Sequence, residues 1–247
     1  MSLRRHEEIA DSLTRDILLG RYRCGERLPS ERDLASRFDA NRGAAREAMK
    51  KLEQLGLATI APGGARVAPL HEASLDVIGH MMALGDVPDP DLVDQVMEVM
   101  ASLVTVAAEN AVRRSSDSAL AAIRAKVKPL MQPAADRTAH AEARLELVTA
   151  IMEASGNLIC RLIARALLVQ FRPRMIPLEQ HVVVDQQAHR DLARRLDAAL
   201  AERDVAAVRE TFRAMSAVNR ESAQRAFAAL GLNGSRGLHA AVEVNAS

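Results

Sequence analysis

Two short segments near the N-terminus constrain the fold of this 247-residue chain more than any other feature. The first is Gly25–Ala35, with the sequence GERLPSERDLA, and the second runs from Arg46 to Leu57. Ser30 is a favourable helix N-cap with Asp33 three residues later, and Gly56 is a typical helix stop. Together the segments predict two short helices followed by a glycine stop and a β-hairpin.

The residues around these segments complete the pattern of a winged helix-turn-helix, in which the third helix enters the major groove of DNA. The predicted elements, in chain order, are a helix that ends at Gly20, a helix over Glu31–Phe38, a helix over Arg42–Leu55 that Asn41 caps, and strands at Ala58–Ile60 and Ala65–Val67 around the turn Pro62-Gly63-Gly64. The hairpin is the expected wing.

Arginines and glycines occupy the positions where such a domain touches DNA. Arg42 and Arg46 lie one turn apart at the start of the third helix, where side chains reach base edges. A guanidinium can donate two parallel hydrogen bonds to guanine or pair with a phosphate. Arg32 can reach the DNA backbone or an adjacent base, and Gly64 lets the wing approach the minor groove without a Cβ clash. We expect double-stranded operator DNA to be contacted by Arg32, Arg42, Arg46, Gly64 and Arg66.

These segments resemble the GntR family of bacterial transcription regulators, over about residues 13–67. The resemblance implies a DNA-binding regulator, most often a repressor, and it points to the same positions: Arg32 in Leu-Pro-Ser-Glu-Arg, Arg42 and Arg46 at the third helix, and Gly64 in the wing. The chain departs from the family at Asp39, where glycine is usual, and at Asn41, where serine is usual.

The remainder of the chain is expected to be helical. Phe, Tyr and Trp total only 2% of the residues, which disfavours an aromatic-rich sheet. After residue 69 nearly every segment has a helical period, with predicted breaks that include Gly85–Pro90, Pro129–Pro133 and Arg172–Pro177. The fold class is therefore mainly α: a winged helix-turn-helix with a small hairpin over 1–69, an antiparallel bundle of six or seven helices over 70–232, and a frayed tail over 233–247.

Charge, cysteine content and hydropathy bound the surroundings of the chain. The net charge is only +1, which excludes a uniformly basic coat for nucleic acid, although residues 1–69 carry a small positive excess. Two distant cysteines favour reduced thiols, and no stretch has the length of a membrane span. We expect a cytoplasmic protein with no membrane partner.

The helical part resembles the FadR-like branch of the family, through Glu153-Ala154-Ser155-Gly156-Asn157 and the spacing of Leu196, Ala199, Leu200 and Asp204. Many members of that branch hold a divalent metal through an Asp-x-x-x-His pair and two later histidines. The resemblance places those four ligands at Arg144, Val148, Ala193 and Met215, none of which can serve. It also places Val96 and Met100 where an arginine and a glutamate are common. We expect no metal and no other cofactor.

A second register leaves a metal site open. Asp136 and His140 have the Asp-x-x-x-His spacing, and His189 lies one turn before Ala193, so Asp136, His140 and His189 could supply three ligands. Without a metal, Asp136 would stabilise the start of a helix, and both histidines would be partly exposed.

An effector pocket is expected in the helical part, lined by Val96, Met100, Arg144, Val148, His189, Ala193 and Met215. One hypothesis is that Arg144, with His140 or His189, binds a carboxylate or phosphate effector in place of the metal. The other is that the pocket is apolar and takes a fatty-acyl chain, because methionines pack adaptably around such ligands.

These observations predict a homodimeric, ligand-responsive regulator that is not an enzyme. Its two DNA-binding domains are expected to bind the two half-sites of an operator. Two alternatives remain open. One is a constitutive DNA binder whose sensing pocket has decayed, and the other is a metal-binding helical module or enzyme with an accessory DNA-binding domain. An effector that changes DNA affinity would favour the ligand-responsive regulator over the constitutive DNA binder. Turnover of a metabolite would favour an enzyme.

Overall fold

The structure is a computed structural model that describes residues 2–133 and 136–232. Its helices, in chain order, are α1 (Ser2–Leu18), α2 (Glu31–Arg37), α3 (Arg42–Gln54), α4 (Val77–Met81), α5 (Pro90–Arg114), α6 (Asp117–Val127), α7 (Arg137–Ala154), α8 (Leu158–Glu179), α9 (Gln186–Ala201) and α10 (Val205–Ala229). Strands β1 (Ala58–Ala61) and β2 (Gly64–Val67) form one antiparallel pair, and short 3-10 turns lie at Leu70–Glu72 and Lys128–Met131. The frayed tail predicted for residues 233–247 lies outside the described residues.

The described chain divides into two compact units at Asp89 and Pro90, which we call the head and the body. The sequence predicted this boundary twenty residues earlier, after residue 69. The connector from residue 70 onwards packs on the head instead: Val77 and Met82 are buried, and the Ser74 amide donates to Leu55 O at 2.9 Å. Arg15 also donates to Leu84 O at 2.9 Å. Apolar side chains in the connector therefore extend the core of the head.

The head is a winged helix-turn-helix whose helix starts follow from local sequence. Ser30 Oγ accepts a hydrogen bond from the Asp33 amide, and Asn41 Oδ1 accepts one from the Ala44 amide, so each caps its helix as predicted. The apolar faces of α1 and α3 pack together through fully buried residues such as Leu13 and Leu52. This packing fixes the solvent-facing side of α3.

The body is a bundle of six described α-helices, within the predicted six or seven. Its core contains Ile123 from α6, Ile151 from α7, and Leu196 and Leu200 from α9. The long helix α5 packs on α7 and α10, and α9 packs on α6 and α10.

The predicted break at Arg172–Pro177 is wrong, because both Pro173 and Pro177 lie inside α8. Each proline removes a backbone N–H donor, but both side chains are exposed, where water can satisfy the freed carbonyls. Burial of Leu167 and Leu178 on either side of the prolines keeps the helix on the bundle. The break in the chain comes later, between α8 and α9.

Candidate DNA-binding surface and ligand cavity

The recognition helix α3 presents its arginines on the side opposite the core. Ala45, Met49 and Leu52 are buried against the rest of the head, whereas Arg42 and Arg46 are exposed. Because the Asn41 cap fixes the start of α3, both arginines occupy its first two turns. Residues at this end of a recognition helix are the ones that reach base edges in the major groove.

Arg46 is held by a carboxylate from the preceding helix. Its Nε lies 3.0 Å from Glu31 Oε1 and its Nη2 lies 3.1 Å from Glu31 Oε2, a two-bond fork. The hydrogen bond from Arg46 is the main reason why the pKa of Glu31 lies below its usual range, and Arg42 adds a weaker electrostatic contribution. The contact of Glu31 with Arg46 was not predicted from the sequence. The two residues are fifteen positions apart, and no short sequence motif connects them.

The wing is a hairpin of two four-residue strands in the register Ala58↔Val67 to Ala61↔Gly64. Gly64 has φ +119°, and a Cβ there would lie 3.1 Å from Arg27 Nε, so glycine allows the exposed Arg27 side chain to lie against the wing. The neighbouring Arg66 Nη1 donates to Gly25 O at 2.8 Å. Arg27 is thus a further cation at the wing, which the sequence alone did not single out.

The Arg32 side chain is 79% exposed. Its Nε lies 3.8 Å from Asp33 Oδ1, a distance too long for a hydrogen bond. The turn before α3 places Asp39 at φ +47°, in the left-handed region where aspartate is tolerated better than most residues. Aspartate can therefore occupy this turn position, where glycine is usual in the family.

The body contains a cavity of about 230 Å³ whose lining is mostly apolar. A neighbouring lobe of about 400 Å³ shares part of the lining and extends along α8 to Arg172 and Glu179. Five of the seven predicted pocket residues line the cavity: Met100, Arg144, Val148, His189 and Met215. Val96 and Ala193 do not line it. Both side chains are buried, and Ala193 belongs to the core of the bundle.

Arg144 brings a positive charge to this cavity. Burial lowers the pKa of its guanidinium, and no carboxylate contributes to the shift. Among the residues that the structure describes, none forms a salt bridge with Arg144, whereas Arg124 is clamped by Asp197 at 2.8 and 2.9 Å. A guanidinium without a counterion in an apolar cavity is an anion-binding group.

His140 and His189 are both buried, which corrects the expectation that they are partly exposed. Their rings meet edge-on with centroids 4.9 Å apart, and His140 Nε2 has no hydrogen-bond partner among the described residues. Burial is the main cause that lowers the pKa of His189 to about 4, and the nearby Arg144 adds to the effect. Burial is also the main cause that lowers the pKa of His140, and Arg144 again adds to the effect. Both histidines are therefore neutral near pH 7.

The alternative metal register does not assemble in the structure. Asp136 is exposed and caps α7, with its Oδ1 accepting from the Ala139 amide at 2.8 Å. The cation Arg144 acts on both His140 and His189, and the carboxylate of Asp185 acts more weakly on His189. Among the described residues, no three His, Cys, Asp or Glu side chains form a group suited to a metal ion.

Residues 5–67 match the family described as bacterial regulatory proteins, gntR family. This segment contains most of α1, both helices of the helix-turn-helix and the complete wing. Residues 5–67 form a GntR-family DNA-binding domain. The chain is a transcriptional regulator with such a domain, as the sequence predicted, and its all-helical body agrees with the FadR-like branch.

Curated relatives of this GntR-family chain are also regulators. It is 25% identical to the HTH-type transcriptional regulator Mce2R of Mycobacterium tuberculosis, over 70% of this chain and 72% of the relative. It is 28% identical to the galactonate operon transcriptional repressor of Escherichia coli, over 64% of this chain and 69% of the relative. The solved structure of Lar, which controls expression of the Listeria monocytogenes agr system, shares the fold with TM-score 0.52 and 18% identity, over 89% of this chain and 96% of that one.

None of the helices in the described residues is both long and apolar enough to cross a bilayer.

We expect the stability of this GntR-family protein to fall on mild acidification, because His189 is buried in its neutral form. The pKa of His189 is about 4 in the folded chain and about 6.5 when unfolded, so between these values the unfolded chain binds more protons. The free energy of unfolding should therefore drop as pH falls, by about 2 kcal/mol between pH 7 and pH 5 from this residue alone.

Urea unfolding at the two pH values measures this effect. His189→Gln should remove most of the difference, whereas His71→Gln, at an exposed position in the head, should keep it. An identical pH dependence in wild type and His189→Gln would contradict the assignment.

Proposed function

We propose that this GntR-family regulator is a homodimeric, effector-responsive repressor whose head binds operator DNA and whose body binds an organic anion through Arg144. Two heads on one operator double the contact with DNA, because one small winged domain supplies limited affinity. Arg32, Arg42, Arg46, Gly64 and Arg66 are the proposed DNA contacts, with Arg27 beside them at the wing.

The observation that carries the effector proposal is the guanidinium of Arg144 at an apolar cavity without a carboxylate partner. An unpaired cation in such a place costs free energy, and an anionic ligand would offset that cost. The unsatisfied Nε2 of His140 and the neighbouring His189 supply further polar atoms near the same place. The proposed effector therefore binds without a metal.

The lining of the cavity favours a carboxylate on an apolar body. Met97, Met100, Leu168, Phe171 and Met215 supply apolar surface, and burial of sugar hydroxyls against such surface is unfavourable unless each finds a partner. The relative in Escherichia coli is named for a galactonate operon, so sugar acids form the natural comparison group. We propose that small apolar or acyl carboxylates bind more tightly than sugar acids.

Effector binding would change DNA affinity by favouring one arrangement of the two heads. A ligand shifts such an equilibrium only by its difference in affinity for the two arrangements. A change of tenfold in DNA affinity would require about 1.4 kcal/mol of differential binding.

The test is to select duplexes from a randomised pool with the full chain, and then to titrate the selected duplex with carboxylates of both kinds. The proposal expects an apolar carboxylate to release DNA equally well with and without a chelator. DNA binding that no carboxylate changes would favour a constitutive binder, and release that needs added Zn²⁺ or Ni²⁺ would favour the metal site.

We expect Arg42→Ala to weaken binding to the selected duplex by about tenfold to a hundredfold, because the residue sits where α3 reaches base edges. Fluorescence anisotropy at fixed salt measures the affinity. Arg194→Ala, which removes an exposed charge from the body, is the control and should change the affinity little. Equal losses in both variants would show that Arg42 contributes only general charge.

A further inference from the structure

We propose that Glu31 is a positioning residue for Arg46, and that their ion pair sets the base preference of the recognition helix. The inference rests on the proposed DNA-binding surface. It adds that an acidic residue, which phosphates repel, increases sequence discrimination while it decreases general affinity for DNA.

The geometry of the fork leaves one edge of the Arg46 guanidinium available. Nε and one N–H of Nη2 donate to the two oxygens of Glu31. A guanidinium has five N–H donors, so both N–H groups of Nη1 and the second of Nη2 remain. One N–H of Nη1 and the remaining N–H of Nη2 form the end edge of the guanidinium, which can donate to O6 and N7 of guanine at the same time.

Both partners are attached to ordered helices, so the fork has a defined direction. Glu31 is the first residue of α2, directly after the Ser30 cap, and α2 is anchored by the fully buried Leu34. Arg46 lies on the exposed side of α3, whereas the nearby residues Ala45 and Ala48 are buried. An unrestrained arginine would sample many rotamers and could pair with a phosphate instead.

The fork distinguishes Arg46 from the other expected contacts on the helix-turn-helix. Arg32 only approaches Asp33 at 3.8 Å. Arg42 is near enough to influence the pKa of Glu31, yet the described residues show no hydrogen bond between the two. Within the described part of the head, the two-bond clamp belongs to Arg46. Arg46 is therefore the contact best prepared for end-on recognition of guanine.

Two effects of opposite direction follow. Glu31 carries a negative charge on the DNA-binding side, so its removal should strengthen binding to unrelated DNA. Its removal should also free Arg46 to leave the guanine edge, so discrimination at that base pair should weaken. A residue that merely supported the fold would instead change the affinity for all duplexes in the same direction.

The experiment compares the full-length wild type, Glu31→Gln and Arg46→Ala by selection from a randomised duplex pool, followed by affinity measurements on single-base variants. Glu47→Gln is the matched control, because it removes a negative charge from α3 whose hydrogen-bond partner is Lys50 rather than an arginine. We expect wild type to prefer guanine at one position of each half-site and Arg46→Ala to lose that preference.

For Glu31→Gln we expect the preference at that position to fall about tenfold, while affinity for an unrelated duplex rises several-fold. Glu47→Gln should raise the affinity for the unrelated duplex without changing the base preference. An unchanged preference in Glu31→Gln, or a uniform loss of affinity for every duplex, would overturn the role of Glu31 and leave the proposed function standing. If wild type selected no sequence at all, the proposed operator binding itself would fail, and this inference with it.

Discussion

Replacing Arg144 by methionine is expected to make the unliganded protein more stable and at the same time to abolish its response to carboxylates. Methionine fills similar space with an apolar chain, so it removes the cost of holding an unpaired cation at the cavity. Because Arg144 is only half-buried, we expect a gain of about 1–2 kcal/mol, or a rise of a few degrees in the melting temperature.

The measurements for Arg144→Met are thermal unfolding with and without an apolar carboxylate, and release of the selected DNA by that ligand. In wild type, a ligand at about 100 times its dissociation constant should stabilise by about 2.7 kcal/mol. In the variant this shift should disappear. If Arg144 binds the ligand, the variant should gain stability and lose the ligand response. If Arg144 only supported the fold, the variant should lose stability as well as the ligand response.

Arg124→Met is the matched control, because it removes the same side chain from a paired site. Arg124 forms two hydrogen bonds with Asp197, whose side chain is 21% exposed. Its loss leaves that carboxylate without its fork, so stability should fall rather than rise. If Arg144→Met destabilised the protein as much as Arg124→Met and DNA release persisted, the cavity would not be the anion site.

Gly56→Ala is expected to cause the largest loss of stability of any substitution considered, about 2–5 kcal/mol. Gly56 follows α3 with φ +70°, a conformation that costs an alanine about 1–2 kcal/mol. A Cβ at this position would also lie 2.6 Å from Glu72 O and 2.9 Å from Ala73 Cα. Both contacts are with backbone, which cannot turn away as a flexible side chain could.

Gly25→Ala separates the two contributions. Gly25 has φ +76°, but a Cβ there would meet nothing within 4 Å, so only the conformational cost of about 1–2 kcal/mol should appear. Urea unfolding followed by circular dichroism measures both variants, and hydrogen exchange at residues 49–57 locates the loss in the head. Equal losses in the two variants would show that the connector can move away from Gly56 at little cost.

The helix-turn-helix was predictable because its signals act between neighbours in sequence. Ser30 and Asn41 each cap a helix by accepting from an amide three residues later, and the hairpin turn is closed by adjacent residues. These interactions form wherever the local backbone permits them. The head was therefore assigned correctly, element by element, from a stretch of about sixty residues.

Longer-range features were not accessible in this way. The prolines of α8 predict a break by local rules, yet packing of the residues around them keeps the helix continuous. The connector from residue 70 belongs to the head because its apolar side chains pack against the core of the head. No local sequence pattern specifies this packing. Five of the seven residues that the resemblance placed in a pocket line the cavity of the body, whereas the two others are buried away from its lining.

What the sequence by itself determined is the class of the protein: a GntR-family DNA-binding head and a helical body. What only the tertiary structure decided is the chemistry of the two candidate sites. The fork between Glu31 and Arg46, and the meeting of Arg144 with two buried histidines, join residues from different helices. Burial and missing counterions depend on what packs around a side chain in space, and the linear sequence does not contain that information.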